Sequence, residues 1–347
     1  MDTENIYIEE QNTIREAMQK IDGNSRKLLF VQDEGVLLAT LTDGDIRRWI
    51  LKGGDLEAQV RQAANYQPVY LQEGQAQKAI PMLREYGIEA VPLLNEQHVI
   101  TEIVFQNRVE IKPTSFEKEI PVVMMAGGLG TRLSPYTNIL PKPLIPIGDY
   151  PIAEHIINSF RMYGCNQFFM IVNYKRNMIK AYFDELEKNY QLTFVMEEKP
   201  LGTGGGISLL KGKIRETFIL TNCDIVIDDD LTKAYRQHRE SGNVITMVCS
   251  LKNFTIPYGV VNIGKDGMIE SMQEKPNMSF FTNTGCYFVE PDVIEDLTYN
   301  EPVDFPAIIE RYMNGDRKVG IYPIGEDAWL DMGQIDELEK MKERLGC

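Results

Sequence analysis

Residues 122–148 read VVMMAGGLGTRLSPYTNILPKPLIPIG. An uninterrupted apolar run enters Gly127, Gly128 and Gly130, the pattern of a buried strand that ends in a tight glycine turn. Glycine there lets backbone N–H groups close around phosphate oxygens, although such turns also occur without a ligand. Thr131 and Arg132 add a hydroxyl and a permanently charged planar fork beside the turn. Lys142, between Pro141 and Pro143, brings a second cation on a stiffened backbone. Two cations and a glycine loop in one segment point to a polyphosphate. The segment is not a P-loop, because a G-K-[ST] ending is absent. It also fails the dinucleotide fingerprint, since Leu133 stands where the third glycine belongs.

Outward from this segment, the apolar runs PVVMMA, QFFMIVN, LTFVM and TFILTN alternate with the helical patterns AEHIINSFRMYG, RNMIKAYFDELEKN and LTKAYRQHRESG. This alternation predicts an α/β fold with a mainly parallel sheet and ligands at the strands' carboxyl ends. After about residue 243 strand patterns dominate (NVITMVCS, YGVVNIG, MIESMQEKP, TNTGCYFV), predicting a mixed-sheet subdomain over the same cleft, and GQIDELEKMKERL reads as an amphipathic helix. Residues 1 to about 112 carry a weak tandem repeat of helix, two strands and helix. The two-proline stretch IKPTSFEKEIP reads as a linker, setting domains of 1–117 and 118–347.

The 347 residues exceed the usual single core. A net charge of −15 argues against nucleic-acid and anionic-membrane partners, so an anionic ligand needs a local site. The five cysteines, Cys165, Cys223, Cys249, Cys286 and Cys347, are widely spaced and form no C-x-x-C, which suits buried thiols in a reducing compartment. The opening MDTENIYIEEQ has no basic start or apolar core, and no run approaches 18 apolar residues. The expectation is a cytoplasmic, non-membrane protein.

The motif G-G-x-G-T-R-L-x-P-x-T-x-x-x-P-K-P-L resembles the signature of the sugar-1-phosphate nucleotidyltransferase family, which includes mannose-1-phosphate guanylyltransferases. The resemblance covers roughly residues 119–345 and implies a Rossmann-like mixed, mainly parallel sheet of the nucleotidyltransferase GT-A-like kind. It implies that Ala126, Gly127, Gly128, Gly130 and Thr131 bind the nucleotide and that Arg132 and Lys142 hold its phosphates. The segment EKPLGTGGG, which could also be a flexible connection, would seat the base through Leu201, Gly202 and Thr203. Asp224, at the end of the strand TFILTN, could be a helix cap, but the resemblance makes it a metal ligand. Asp331 in AWLDMGQ would be the second, and an Asp in that apolar context needs a cation or donors nearby. Together they would bind Mg2+. Glu274 and Lys275 of the E-K-P motif, blandly a solvated pair, would hold sugar hydroxyls and sugar phosphate, with Tyr258, Gly259, Asn283 and Thr284 completing the sugar side. His98, His155 and His238 fall outside every motif and read as surface or core residues.

The front repeat resembles a tandem CBS pair, an α+β module that can bind an adenosine nucleotide. Its ribose-gripping pattern is met by Thr42 and Asp45 in LTDGDIRR and broken in the second half at Val104 and Asn107. The plainer reading is that Asp45 caps a helix and that the unit mediates contacts in a homo-oligomer. The favoured substrates are GTP and a hexose or amino-sugar 1-phosphate, such as glucosamine 1-phosphate or mannose 1-phosphate. UTP, dTTP and CTP stay open, because the phosphate machinery does not depend on the base. A reading of another class is a nucleotide-sensing binding protein built on a degenerate transferase fold.

Overall fold

In the first hundred residues the apolar runs build two small sheets of one design. β1 (Tyr7–Ile8), α1 (Ile14–Asn24), β2 (Leu28–Asp33), β3 (Val36–Thr42) and α2 (Asp43–Leu51) make the first. β4 (Leu71–Gln72), α3 (Ala79–Tyr86), β5 (Ala90–Leu94) and β6 (Ile100–Phe105) make the second. In each, a two-residue strand pairs parallel with the next, which pairs antiparallel with the third. β1 and β4 are too short to leave a period in the sequence. Leu28, Phe30 and Leu37 of one sheet share a core with Ala90 and Leu94 of the other. The structure, a computed structural model, describes residues 6–24, 27–86, 88–105, 115–333 and 341. It divides into two compact units, Met1–Ile111 and Lys112–Cys347. The helices expected over QNRVE and GQIDELEKMKERL, Asn107 and Cys347 fall largely or wholly outside the described residues.

The second unit opens with β7 (Val122–Ala126), α4 (Tyr136–Ile139), β8 (Pro146–Ile147), β9 (Tyr150–Pro151), α5 (Ile152–Arg161), β10 (Gln167–Val172), α6 (Arg176–Glu185) and β11 (Gln191–Met196). It continues through α7 (Gly202–Gly205), β12 (Phe218–Asn222), β13 (Ile225–Ile227), α8 (Leu231–Ser241), β14 (Ile245–Thr255), β15 (Val260–Ile263) and β16 (Ile269–Gln273). β17 (Asn277–Val289), α9 (Asp292–Glu295), α10 (Phe305–Met313), β18 (Val319–Ile324) and β19 (Trp329–Asp331) follow. Among the described residues one sheet carries the order β11-β10-β7-β12-β17-β14-β18, mixed but mainly parallel.

Alternate side chains go to opposite faces of this sheet. Val122, Met124, Phe168, Met170 and Ile219 pack under α5, α6 and α8. Val123, Phe169, Ile171, Phe218 and Leu220 pack against residues 206–210, α9 and α10. Burial on both faces explains why these strands read as continuous apolar runs. One expectation is corrected: β14, β17 and β18 extend the main sheet rather than forming a separate one, because β17 pairs directly with β12. Beyond Ser250, β14 and β17 leave the sheet as a two-stranded ribbon. Cys165, Cys223, Cys249 and Cys286 are buried free thiols, and among the described residues no helix is long and apolar enough to cross a membrane.

Phe288 shows how tightly the first face is filled. Its buried ring lies 5.9 Å from that of Tyr235, 6.0 Å from His238 and 6.2 Å from Phe116. Phe288→Ala should cost about 3–5 kcal/mol, read as a lowered urea midpoint with an unchanged slope.

Candidate active site

From β7 the chain crosses to β10 and β11 on one side, then returns to place β12 on the other. Connections that diverge in this way leave a crevice beyond the strands' carboxyl ends. The glycine loop leaves β7 there. Gly130 is left-handed (φ 66°), and a Cβ on it would stand 2.8 Å from Cγ2 of Thr137 and 3.3 Å from Cβ of Lys142. The Thr137 hydroxyl donates to the Gly130 carbonyl at 2.9 Å. Lys175 donates to the carbonyls of Thr137 (3.3 Å), Asn138 (2.6 Å) and Ile139 (2.7 Å), tying the loop's far end to the turn after β10. Thr131 and Arg132 occupy an exposed 3-10 turn, and Lys142 sits half-buried in another.

Asp224 follows β12 and forms an ion pair with Lys142. The short strands β13 and β19 pair antiparallel, with Ile225 opposite Asp331. The Met332 N–H donates to the Asp224 carbonyl at 2.8 Å. Two aspartates far apart in sequence thus stand on adjoining backbones, and Asp224 pairs with a lysine from the glycine-loop segment. A Cβ on Gly259 would meet Glu274 Oε2 at 2.9 Å, so Glu274 folds over the Tyr258–Gly259 turn. Lys275 is exposed and held at φ 44°, a conformation uncommon outside glycine.

Some predicted residues are otherwise engaged. Gly202 to Gly205 form a helical turn rather than a loop before a helix, because Gly204 packs against α10 at the Phe305 backbone. The Thr203 hydroxyl lies 3.3 Å from Asp304 and accepts from the Phe305 N–H at 3.0 Å, capping α10. Asn283 and Thr284 belong to β17, not to a loop. Thr284 is buried and donates to the Val248 carbonyl at 2.7 Å, while the exposed Asn283 donates to the Tyr287 hydroxyl at 2.7 Å. In the front unit Thr42 and Asp45 close on each other as a capping box, and Arg48 binds the second Asp45 oxygen at 2.5 Å. His98 is exposed, His155 contacts the Ile147 carbonyl at 2.8 Å, and His238 is enclosed between Thr246 and Glu290.

The sequence reading missed Glu197. It follows β11 and is only 4% exposed, yet its Oε1 has no hydrogen-bond partner. Two glycines make room for it: a Cβ on Gly127 would meet Oε2 at 2.8 Å, and one on Gly206 would meet Oε1 at 2.5 Å. Burial pushes its carboxyl up to about 7, against the opposing pull of the Leu201 backbone N–H. The signal available was an acid directly after an apolar strand and before a glycine cluster.

A model of the nucleotidyl transferase family matches residues 121–346. The chain belongs to that family. Among curated relatives, a mannose-1-phosphate guanyltransferase of Pichia angusta is 32% identical over 227 residues, covering 61% of this chain and 60% of the relative. A UTP--glucose-1-phosphate uridylyltransferase of Synechocystis is 30% identical over 244 residues, covering 62% of this chain and 60% of the relative. A D-glycero-alpha-D-manno-heptose 1-phosphate guanylyltransferase of Campylobacter jejuni is 30% identical over 214 residues, covering 61% and 93%. The match therefore spans about 60% of the length of the first two. The solved structure of HddC from Yersinia pseudotuberculosis complexed with GMP-PN shares the fold, with a TM-score of 0.52 at 23% identity, over 65% of this chain and 99% of that one.

For this family member, the raised Glu197 value has a stability consequence. Between 4.5 and about 7 the folded carboxyl keeps a proton that the unfolded chain has released, so stability falls as pH rises across that window. Glu197→Gln should stabilise the protein at pH 8 by on the order of 2 kcal/mol and leave it nearly unchanged at pH 4.5. Urea melts at both pH values check this, and an equal gain at both would refute it.

Proposed function

We propose that the second unit transfers a nucleoside monophosphate unit from GTP to a hexose or amino-sugar 1-phosphate, such as glucosamine 1-phosphate or mannose 1-phosphate, releasing pyrophosphate. The carrying observation is the ion pair of Asp224 with Lys142 beyond the end of β12, with Asp331 on the strand that adjoins it. An ionised oxygen of the sugar phosphate attacks the α-phosphorus while the bond from that phosphorus to pyrophosphate breaks. No protein nucleophile is required. The obstacle is charge: at about 4 Å each like-charged pair repels by roughly 4 kcal/mol at an effective dielectric near 20. Arg132 and Lys142 would offset it on the nucleotide side and Lys275 on the sugar side, so that this chain contributes alignment and fixed charge.

Among the described residues no group of three or more His, Cys, Asp or Glu side chains could hold a metal ion. Two carboxylates on adjoining backbones, one already drawing a cationic side chain, suit a hard ion that completes its shell with phosphate oxygens. Asp224 and Asp331 would hold Mg2+, which when bound supplies further positive charge. Asp224→Asn should lower the turnover rate by at least about a hundredfold, followed as pyrophosphate release. Near-normal release by the variant would remove Asp224 from the mechanism.

Glu197 supports the choice of guanine. Above about 7, where the Glu197 carboxyl gives up its proton, a carboxylate accepts from two neighbouring donors, and guanine presents such a pair in N1–H and its amino group. Uracil and thymine flank a single N–H with carbonyls that repel an anion. Glu197→Gln should therefore reduce the preference for GTP over UTP in kcat/KM by at least about tenfold. A matrix of four NTPs against several sugar 1-phosphates measures this and tests the donor assignment directly.

We read the front unit, expected over residues 1–117, as a tandem CBS pair, a reading supported by the repeated strand order of the two small sheets. The Asp45 carboxylate already serves as a helix cap. That favours a role in assembling a homo-oligomer over an adenosine-nucleotide site.

A further inference from the structure

The short helix α4 ends at Ile139, which leaves the carbonyls of Thr137, Asn138 and Ile139 without partners inside the helix. One further turn would bring them the N–H groups of residues 141, 142 and 143. Pro141 and Pro143 have none, and the backbone is already extended at Leu140. The donors come instead from the turn after β10. Lys175 directs its ammonium at all three carbonyls, at 3.3 Å, 2.6 Å and 2.7 Å, and so caps α4 from outside. Its own backbone is left-handed, φ 49°, where glycine would sit with less strain. What lysine adds at this position is therefore the ammonium.

The same turn meets the start of the glycine segment. The Tyr174 N–H faces the Gly127 carbonyl at 3.5 Å, and a Cβ on Gly127 would stand 3.4 Å from Cβ of Asn173. Between the two ties lies the left-handed turn at Gly130. Thr137, whose carbonyl Lys175 binds, donates its hydroxyl to the Gly130 carbonyl and packs against Gly130, as does Cβ of Lys142. We propose that Lys175 is a positioning residue, which holds the glycine turn and Lys142 in the arrangement that receives phosphate while contacting no phosphate itself. This rests on the phosphate-binding reading of that segment given above. The ammonium has as many carbonyl acceptors as protons, so none is left over for a ligand. Without it, three carbonyls turn to water, α4 is released, and Thr137 no longer fixes Gly130. The loop then has to be ordered at the expense of phosphate binding.

Four full-length proteins test this: wild type, Lys175→Met, which keeps the length and drops the charge, Lys175→Gly, which also relaxes the left-handed backbone, and Lys175→Arg, which restores a cationic donor. Matching far-UV circular dichroism shows that the variants are folded. The amides of Leu133, Asn138 and Leu140 make backbone hydrogen bonds within the segment. In the Met and Gly variants their hydrogen exchange should be at least about tenfold faster and calorimetric binding of magnesium pyrophosphate at least about tenfold weaker. Amides of β12 should keep their wild-type rates, and the Arg variant should stay close to wild type in both measurements. A Gly variant indistinguishable from wild type would mean that only the backbone matters. Weaker binding with unchanged exchange would make Lys175 a ligand or a distant charge, and faster exchange with unchanged binding, or equal acceleration in β12, would make it a structural tie. Each of these overturns the inference. A wild type that does not bind pyrophosphate would remove the phosphate site and the positioning role with it. The exchange data, which need no ligand, tell that failure from the others.

Discussion

The pairing of two three-residue strands, β13 with β19, holds the candidate site together. Ile225 stands opposite Asp331, and the Met332 N–H reaches the Asp224 carbonyl. Without this ladder Asp224 would project from the end of β12 with only Lys142 beside it. With it, two acidic residues from distant parts of the chain stand on adjoining backbones. An anionic group held there is stabilised by a cation beside it, and Lys142 supplies one to Asp224.

The central fold was legible because β7, β10, β11 and β12 are covered on both faces and leave unbroken apolar runs, while α5, α6 and α8 are covered on one face and leave a helical period. The front repeat was legible for the same reason, except for two-residue strands that carry no period. The joining of β14, β17 and β18 to the main sheet was not, since strand patterns say nothing about which neighbour a strand chooses. The β13–β19 pair was invisible too. Three residues have no periodicity, and their partnership is wholly non-local.

At the site, residue chemistry was easier to read than residue commitment. Arg132, Lys142, Asp224, Glu274 and Lys275 stand out by type and spacing, and all five belong to turns or strand ends. Thr203 and Thr284 look equally suitable in the sequence, yet one hydroxyl caps α10 and the other bonds to β14. Glu197 shows the reverse case. Its neighbours in sequence suggest a solvated acidic pair, and only folding encloses it between Gly127 and Gly206 with an oxygen left unpartnered.

The wide separation of Asp224 and Asp331 in the chain also bears on the order of synthesis. A nascent polypeptide emerging from the ribosome carries the glycine turn, Lys142 and Asp224 more than a hundred residues before Asp331 appears. During that interval the parallel strands β7, β10, β11 and β12 are all available to associate, but the closing strand β19 is not. Lys142 and Asp224, the ion-paired partners of the finished fold, are both present throughout that interval, so the neutralising cation never has to wait for the second half of the site.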